Sequence, residues 1–272
     1  MTEPEPADPP PPGVDPTVPS PARMWNYWVG GTDHYAADRA VGEQVRATMP
    51  SMPILARYAR RFLADAVRQL AAEHGIRQFL DIGTGLPTAG NTHQVAQEIA
   101  PAARVVYVDN DPSVLAQAGA LLTSRPEGAT GYVDADLRDV DAVLAGARRT
   151  LDFSQPIAVM FIAVLHFIPD ADHPHQVVRR LLDAVPSGSY LVIAHAAGDI
   201  EASGMGQAMA LYNRRSATPI NLRTRAEVAR FADGLDLTGP GLVPVDEWWG
   251  PGGVEPEAAG VLGGYVAIAR KP

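Results

Sequence analysis

The sequence predicts an α/β chain whose mostly parallel sheet ends in an antiparallel hairpin, and three observations carry that prediction. From residue 76 onward, short apolar runs alternate with amphipathic segments of helical length; a glycine turn follows the first run; and no helix separates the last two candidate strands. Parallel neighbours require crossover connections, whereas strands joined without one are most simply antiparallel. At 272 residues, 46% hydrophobic and 19% charged, the chain buries a sizeable core without disulfide or metal staples.

The elements follow in order. Residues 1–21 hold nine of the 25 prolines, which predicts a disordered or polyproline II tail whose first 20 residues are dispensable. Residues 22–75 form an N-terminal lid and helical segment. It opens with RMWNYWVGGTDHYAADR, too aromatic for a linker and too polar for a plain core helix. Leu55, Tyr58, Phe62, Ala66 and Leu70 recur at spacings of three and four, predicting a helix over 53–74 that Gly75 stops. Residues 76–272 make the main domain. RQFLDIG is a buried strand ending in glycine, NTHQVAQEIA a helix with Asn91 as its cap, and ARVVYVDND a second strand. A helix opening at Pro112, a strand near TGYVDADL and a helix DAVLAGARRTL come next. PIAVMFIAVLHFI, HPHQVVRRLLDAV and GSYLVIAHA complete five strands separated by helices. Two helices, MGQAMALYNRRSA and TRAEVARFADG, precede the hairpin LDLTGPGLVPVDEWW and GGYVAIARK.

Composition excludes several functions. With 31 acidic against 22 basic residues the formal charge is -9, which disfavours nucleic acid and anionic membrane as partners. No cysteine is present, so thiol catalysis and thiolate metal sites are excluded, and a reducing cytoplasm is the expected location. The first residues have no basic start or apolar run typical of a secretory signal. The most apolar stretch, 157–168, is far shorter than the roughly 20 residues a spanning helix needs. His173 and His175 lack a partner at ligand spacing, so no metal is expected.

The informative stretch is FLDIGTGLPTAGNTHQVA, a strand entering a glycine turn that opens onto a helix. In open α/β sheets a ligand sits beyond the carboxyl ends of the strands, where Gly83 and Gly85, flanking Thr84, let backbone approach it. Asp109, followed by Asn110, ends the next strand, where a carboxylate can bind ribose hydroxyls. Thr88 replaces the third glycine of the dinucleotide fingerprint, and Asp81 beside the turn repels pyrophosphate while attracting an ammonium group. S-adenosylmethionine carries an ammonium, a sulfonium and no phosphate. The expected cofactor is therefore S-adenosylmethionine, and a dehydrogenase is disfavoured.

LDIGTG, YVDND, DADLRD and AVLHFIPD resemble successive motifs of the class I S-adenosylmethionine-dependent methyltransferases. Together with RMWNYWVGGTDHYAADR and GLVPVDEWW, they make residues 20–271 similar to the actinobacterial S-adenosyl methyltransferase family, formerly a domain of unknown function. The resemblance implies the Rossmann-like fold with seven strands and a terminal antiparallel hairpin. It also implies that Asp81, Gly83 and Gly85 hold the amino-acid end of the cofactor, that Asp109 binds ribose, and that Asp136 and Leu137 meet adenine.

Catalysis leaves more than one reading open. His166 follows the fourth strand and is either the base that accepts a proton during methyl transfer or a structural histidine; His195 ends the fifth and reads the same way, weighted toward structure. Residues 23–39 are either an arm packed on the sheet edge or a lid over the cofactor. The lid reading brings Arg23, Tyr27, Gly30 and Gly31 to the cofactor and makes His34 a second candidate base. Arg214, Arg215 and Arg223 read as a solvated helix face, or as recognition of an acidic acceptor; Trp248 and Trp249 read as cover for the hairpin, or as a wall of the acceptor pocket. The function expected is methyl transfer to a small-molecule acceptor. The rival is a cofactor-binding sensor or scaffold without turnover, and an acceptor cavity beside the methyl position separates the two.

Overall fold

A computed structural model describes residues 10–121, 123–200, 204–216 and 218–272. Three helices come first: α1 (Pro21–Trp28), α2 (Ala36–Thr48) and α3 (Met52–Ala72). The predicted stop of α3 is present, since Gly75 takes φ +68° and the Ile76 N–H returns to the Leu70 carbonyl at 2.9 Å. Five strands then alternate with four helices. They are β1 (Gln78–Ile82), α4 (Thr92–Ile99), β2 (Arg104–Asp109), α5 (Pro112–Leu121), β3 (Ala129–Asp134), α6 (Val140–Ala147), β4 (Ala158–Ile162), α7 (Pro174–Asp183) and β5 (Tyr190–Ala196). All five strands pair in parallel, in the order β3-β2-β1-β4-β5.

The C-terminal part holds α8 (Met205–Asn213), α9 (Arg225–Ala229), β6 (Asp236–Leu237), β7 (Val243–Pro244) and β8 (Gly264–Arg270). β8 runs antiparallel to β5, and both β6 and β7 pair with β8 antiparallel. The sheet therefore has eight strands where seven were expected. The cause lies in LTGPGL: pairing passes from Leu237↔Ala269 to Val243↔Val266, and residues 238–242 bulge out between, so one edge strand becomes two.

Alternating side chains divide the core between the two faces. Phe79, Tyr107, Met160, Val192 and Ile268 pack under α1, α2, α3, α4 and α8. Leu80, Val106, Phe161, Ile193 and Ala267 meet α6, α7 and α9 on the other side. Both faces are covered, which is why β1 and β4 are buried along their whole length. Among the described residues no helix is long and apolar enough to cross a membrane.

The proline-rich segment differs from its compositional reading. Residues 1–9 of the expected tail lie outside the described residues, but residues 10–20 run against the turn after β2. Val14 is buried, Ser20 caps α1, and the Ser20 hydroxyl hydrogen-bonds the Asp111 carboxylate. Specific side-chain contacts, invisible to composition, fix this stretch, so removing residues 1–20 is no longer expected to be neutral.

Candidate functional site

The carboxyl ends of β1–β5, together with the start of β8, open into a cleft of about 760 Å³ roofed by α1 and the segment before it. At its floor the chain leaves β1 through Gly83 (φ +71°) and Gly85 (φ +65°), a conformation costly for any side chain with a Cβ. The two glycines serve different ends. A Cβ on Gly83 would lie 2.3 Å from Val164, so its missing side chain admits the loop after β4 and not a ligand. A Cβ on Gly85 meets nothing within 4 Å, so here the backbone is bare toward the cleft. Val164 arrives there because Ala163 adopts φ +58°, a left-handed turn that an alanine takes only under strain.

Acidic groups surround this turn. Asp81 is 3% exposed, and burial raises its pKa, opposed by a 2.6 Å hydrogen bond from Thr92 Oγ1 and by the nearby Arg60 cation. Asp109 accepts the Gly85 N–H at 2.8 Å and the Asp111 N–H at 3.0 Å, yet loss of hydration still pushes its carboxyl up to about 6. Asp136 is held below the usual carboxylate range by hydrogen bonds from Arg138, and Asn110 Nδ2 approaches it at 3.4 Å. Thr84 and Leu137 also line the cleft, while among the described residues the buried Thr88 Oγ1 has no hydrogen-bond partner.

On the arm, Arg23 lines the cleft, but its guanidinium is fully engaged. Nε bonds Asp38 at 2.8 Å, Nη1 bonds Ser113 at 2.9 Å, and Nη2 reaches the Asp15 and Val18 carbonyls. Four other residues assigned to the site from sequence do not line it. The Tyr27 ring faces α2, its hydroxyl bonded to Glu43, and His34 packs on that ring at 5.1 Å. Gly31 is small because the Asn26 amide fills the space of a Cβ, and Gly30 (φ +87°) turns the chain after α1. These positions pack within the arm and against α2, and His34 does not line the cleft.

Four elements meet at the opposite end. His166, 5% exposed, sits in a short 3-10 turn at Leu165–Phe167 that lines the cleft; its ring makes no hydrogen bond among the described residues, and Nδ1 is buried. Burial, with His195 and Arg223 nearby, lowers its pKa well below 6.5, so the ring is neutral at pH 7. His195 differs. Arg223 Nη1 donates to its Nε2 at 2.9 Å, so Nδ1 carries the proton and donates to the Ala196 carbonyl at 2.8 Å. With that lone pair occupied and burial lowering its pKa to about 4, His195 is no base. Arg223, 3% exposed, also bonds the Leu165 and Ile168 carbonyls and Asp170, while the Asn221 N–H holds the His166 carbonyl at 2.7 Å. Arg223 is therefore a buried clamp on the His166 loop and not part of a solvated helix face. The Tyr212 hydroxyl on α8 is buried in the cleft lining, with Ser216 beside it but no hydrogen bond completed.

Trp248 and Trp249 stay outside the cleft and pack on α3, Trp248 against Phe62 at 4.9 Å and Trp249 against Tyr58 at 5.3 Å.

Comparison with known proteins decides the family. The sequence signature of the S-adenosyl methyltransferase family matches residues 7–272. The chain belongs to this family. A crystal structure of a DUF574 family protein from Streptomyces avermitilis MA-4680 is 42% identical, with 94% of this chain and 98% of that chain covered and a TM-score of 0.88. A protein from Thermobifida fusca YX is 36% identical over 97% and 99% of the two chains, again with a TM-score of 0.88. The magnesium protoporphyrin IX methyltransferase of Synechocystis PCC 6803, solved with bound SAH, shares the fold alone, at 11% identity and a TM-score of 0.52 over 92% and 93% of the chains. A search of curated proteins finds no match.

The cofactor of this methyltransferase family is S-adenosylmethionine, and the residues present suit it. The bare Gly85 backbone, the unpartnered Thr88 hydroxyl and the acidic Asp81 and Asp109 favour a ligand with positive charge and hydroxyl donors over pyrophosphate.

Proposed function

We propose that the protein methylates a small-molecule acceptor bound over β4 and β5, with His166 as the base. The observation that carries this reading is the neutral imidazole of His166, without a hydrogen bond among the described residues, in the same cleft as the glycine turn. A cofactor sensor has no need of open space or an idle base beyond the cofactor. Bound S-adenosylmethionine supplies an electrophilic methyl carbon whose bond to sulfur breaks with the electron pair passing to sulfur. Asp81 attracts the ammonium group, and the Gly83–Gly85 turn, with Thr84, lets the backbone approach the amino-acid end. Asp109, with Asn110 beside it, accepts hydrogen bonds from ribose hydroxyls, while Asp136 and Leu137 border adenine. Arg23 organises the arm over them. As the acceptor heteroatom bonds to the methyl carbon, His166 takes its proton; Arg223 and Asn221 fix the loop, and alignment supplies most of the acceleration.

The test pairs calorimetry with label transfer. S-adenosylmethionine and S-adenosylhomocysteine should bind and NAD should not, and methyl-labelled cofactor should mark a compound in a small-molecule panel. His166→Ala should keep the binding and lose about 10²- to 10⁴-fold in transfer. Full turnover in that variant removes His166 as the base; absence of cofactor binding removes the whole reading.

A further inference from the structure

The two ends of the cleft differ in charge, and that difference restricts what the acceptor end accommodates. Among the described residues, every formal charge in the lining belongs to the arm, to Arg60 beside Asp81, or to the ends of β1, β2 and β3. Over β4, β5 and β8 the walls are apolar, with Trp28, Phe167, Met209, Ile220 and Val245 among them. The two histidines there are neutral, and the guanidinium behind them, Arg223, is spent on Leu165, Ile168, His195 and Asp170. An acceptor carboxylate, phosphate or ammonium lodged at this end would be desolvated with no opposite charge to meet it. Among the described residues, His166 Nδ1 has no hydrogen-bond partner and the hydroxyl of Tyr212, with Ser216 beside it, completes none; burial raises the Tyr212 pKa to about 12, so that it stays protonated. Buried polar atoms in folded proteins are nearly always hydrogen-bonded, so each of these two cleft-lining residues lacks a partner that a ligand's polar group would supply. Met209 adds a flexible, polarizable wall that adapts to a flat or irregular apolar body.

We infer that the acceptor is an uncharged, largely apolar molecule, and that its single hydroxyl or N–H is held by Tyr212 and directed at His166. Tyr212 is then an acceptor-binding residue that selects neutral over ionic acceptors. The inference rests on the methyl-transfer reading above, but it is tested by binding alone. 1-Naphthol, 1-naphthoate and 1-naphthylmethylammonium are titrated into the full chain, each with and without S-adenosylhomocysteine. Naphthol should bind, and both ionic analogues should bind at least about tenfold more weakly. Tyr212→Phe should weaken naphthol about three- to tenfold and leave S-adenosylhomocysteine affinity unchanged. Should that variant misfold, Met209→Trp, which fills the apolar end, should abolish naphthol binding instead. Equal or tighter binding of an ionic analogue, no naphthol binding, or naphthol affinity untouched by both variants overturns the inference. Failure of S-adenosylhomocysteine to bind while naphthol selectivity persists counts against the methyltransferase reading and supports the apolar subsite.

Discussion

The cleft end over β1, β2 and β3 and the end over β4, β5 and β8 solve opposite problems. The first concentrates carboxylates around a bare backbone turn and links them to the arm through Ser20, Asp111 and Arg23. The second has apolar walls, neutralises its histidines by burial, and leaves His166 Nδ1 and the Tyr212 hydroxyl without hydrogen bonds among the described residues. One end gathers its charges around a single bare turn. The other keeps its few polar groups free for something the chain does not supply.

The largest expected effect tests whether the arm belongs to the charged end. Arg23→Ala strands Asp38, which is fully buried, and should cost about 3–5 kcal/mol in denaturant unfolding. A variant as stable as the parent would show that the arm is not held by this pair. Next come the two glycines. Gly83→Ala combines left-handed strain with a clash on Val164 and should cost roughly 2–5 kcal/mol of stability, against about 1–2 kcal/mol for Gly85→Ala, which meets no neighbour. Only Gly85→Ala should weaken S-adenosylhomocysteine more than it weakens the fold. Equal losses in both would erase the distinction between a packing glycine and a ligand-facing one. Asp109→Ala removes a carboxylate that also anchors the Gly85 N–H, and should cost about 1.5–3 kcal/mol in cofactor affinity by calorimetry. Unchanged affinity in a folded variant would take Asp109 out of the site.

The smallest effect is that of pH. In the fold Asp109 titrates at about 6, against 3.8 when hydrated, so the native state holds the extra proton between those values. Its contribution to folding stability therefore falls as pH rises through that window, whereas affinity for a ligand that needs the carboxylate rises. Cofactor affinity should drop by up to about tenfold per unit below pH 6 in the parent and stay flat in Asp109→Ala. Matching pH profiles for parent and variant would show that another group governs the charged end.

The contrast between the two ends also explains what the sequence revealed. Asp81, Gly83, Gly85 and Asp109 sit at strand ends whose apolar runs are unmistakable, so their shared edge followed from the strand–helix alternation. Arg223 was misread because its short-range neighbours, Thr224 and Glu227, signal a helix start, while its own partners lie 28–58 residues away. Tyr212 could be placed on a helix but not at the cleft, since which face of α8 is buried depends on packing with α2. Tyr27, Gly30, Gly31 and His34 were drawn into the site by an unusual composition that the structure spends on joining α1 to α2. The glycine-rich break between β6 and β7 was visible as residues, but the register step it causes depends on β8.

The carboxylates at the charged end stand in series. Asp38 accepts the Ser20 N–H, the Ser20 hydroxyl meets Asp111, the Asp111 N–H meets Asp109, and Asp109 accepts the Gly85 N–H. Local opening of any link exposes the next, so the Gly85 amide is a reporter for events more than sixty residues earlier in the chain. Its exchange with deuterated solvent should quicken when Ser20 is replaced by alanine, a substitution at the far side of the line that leaves every atom of the glycine turn in place.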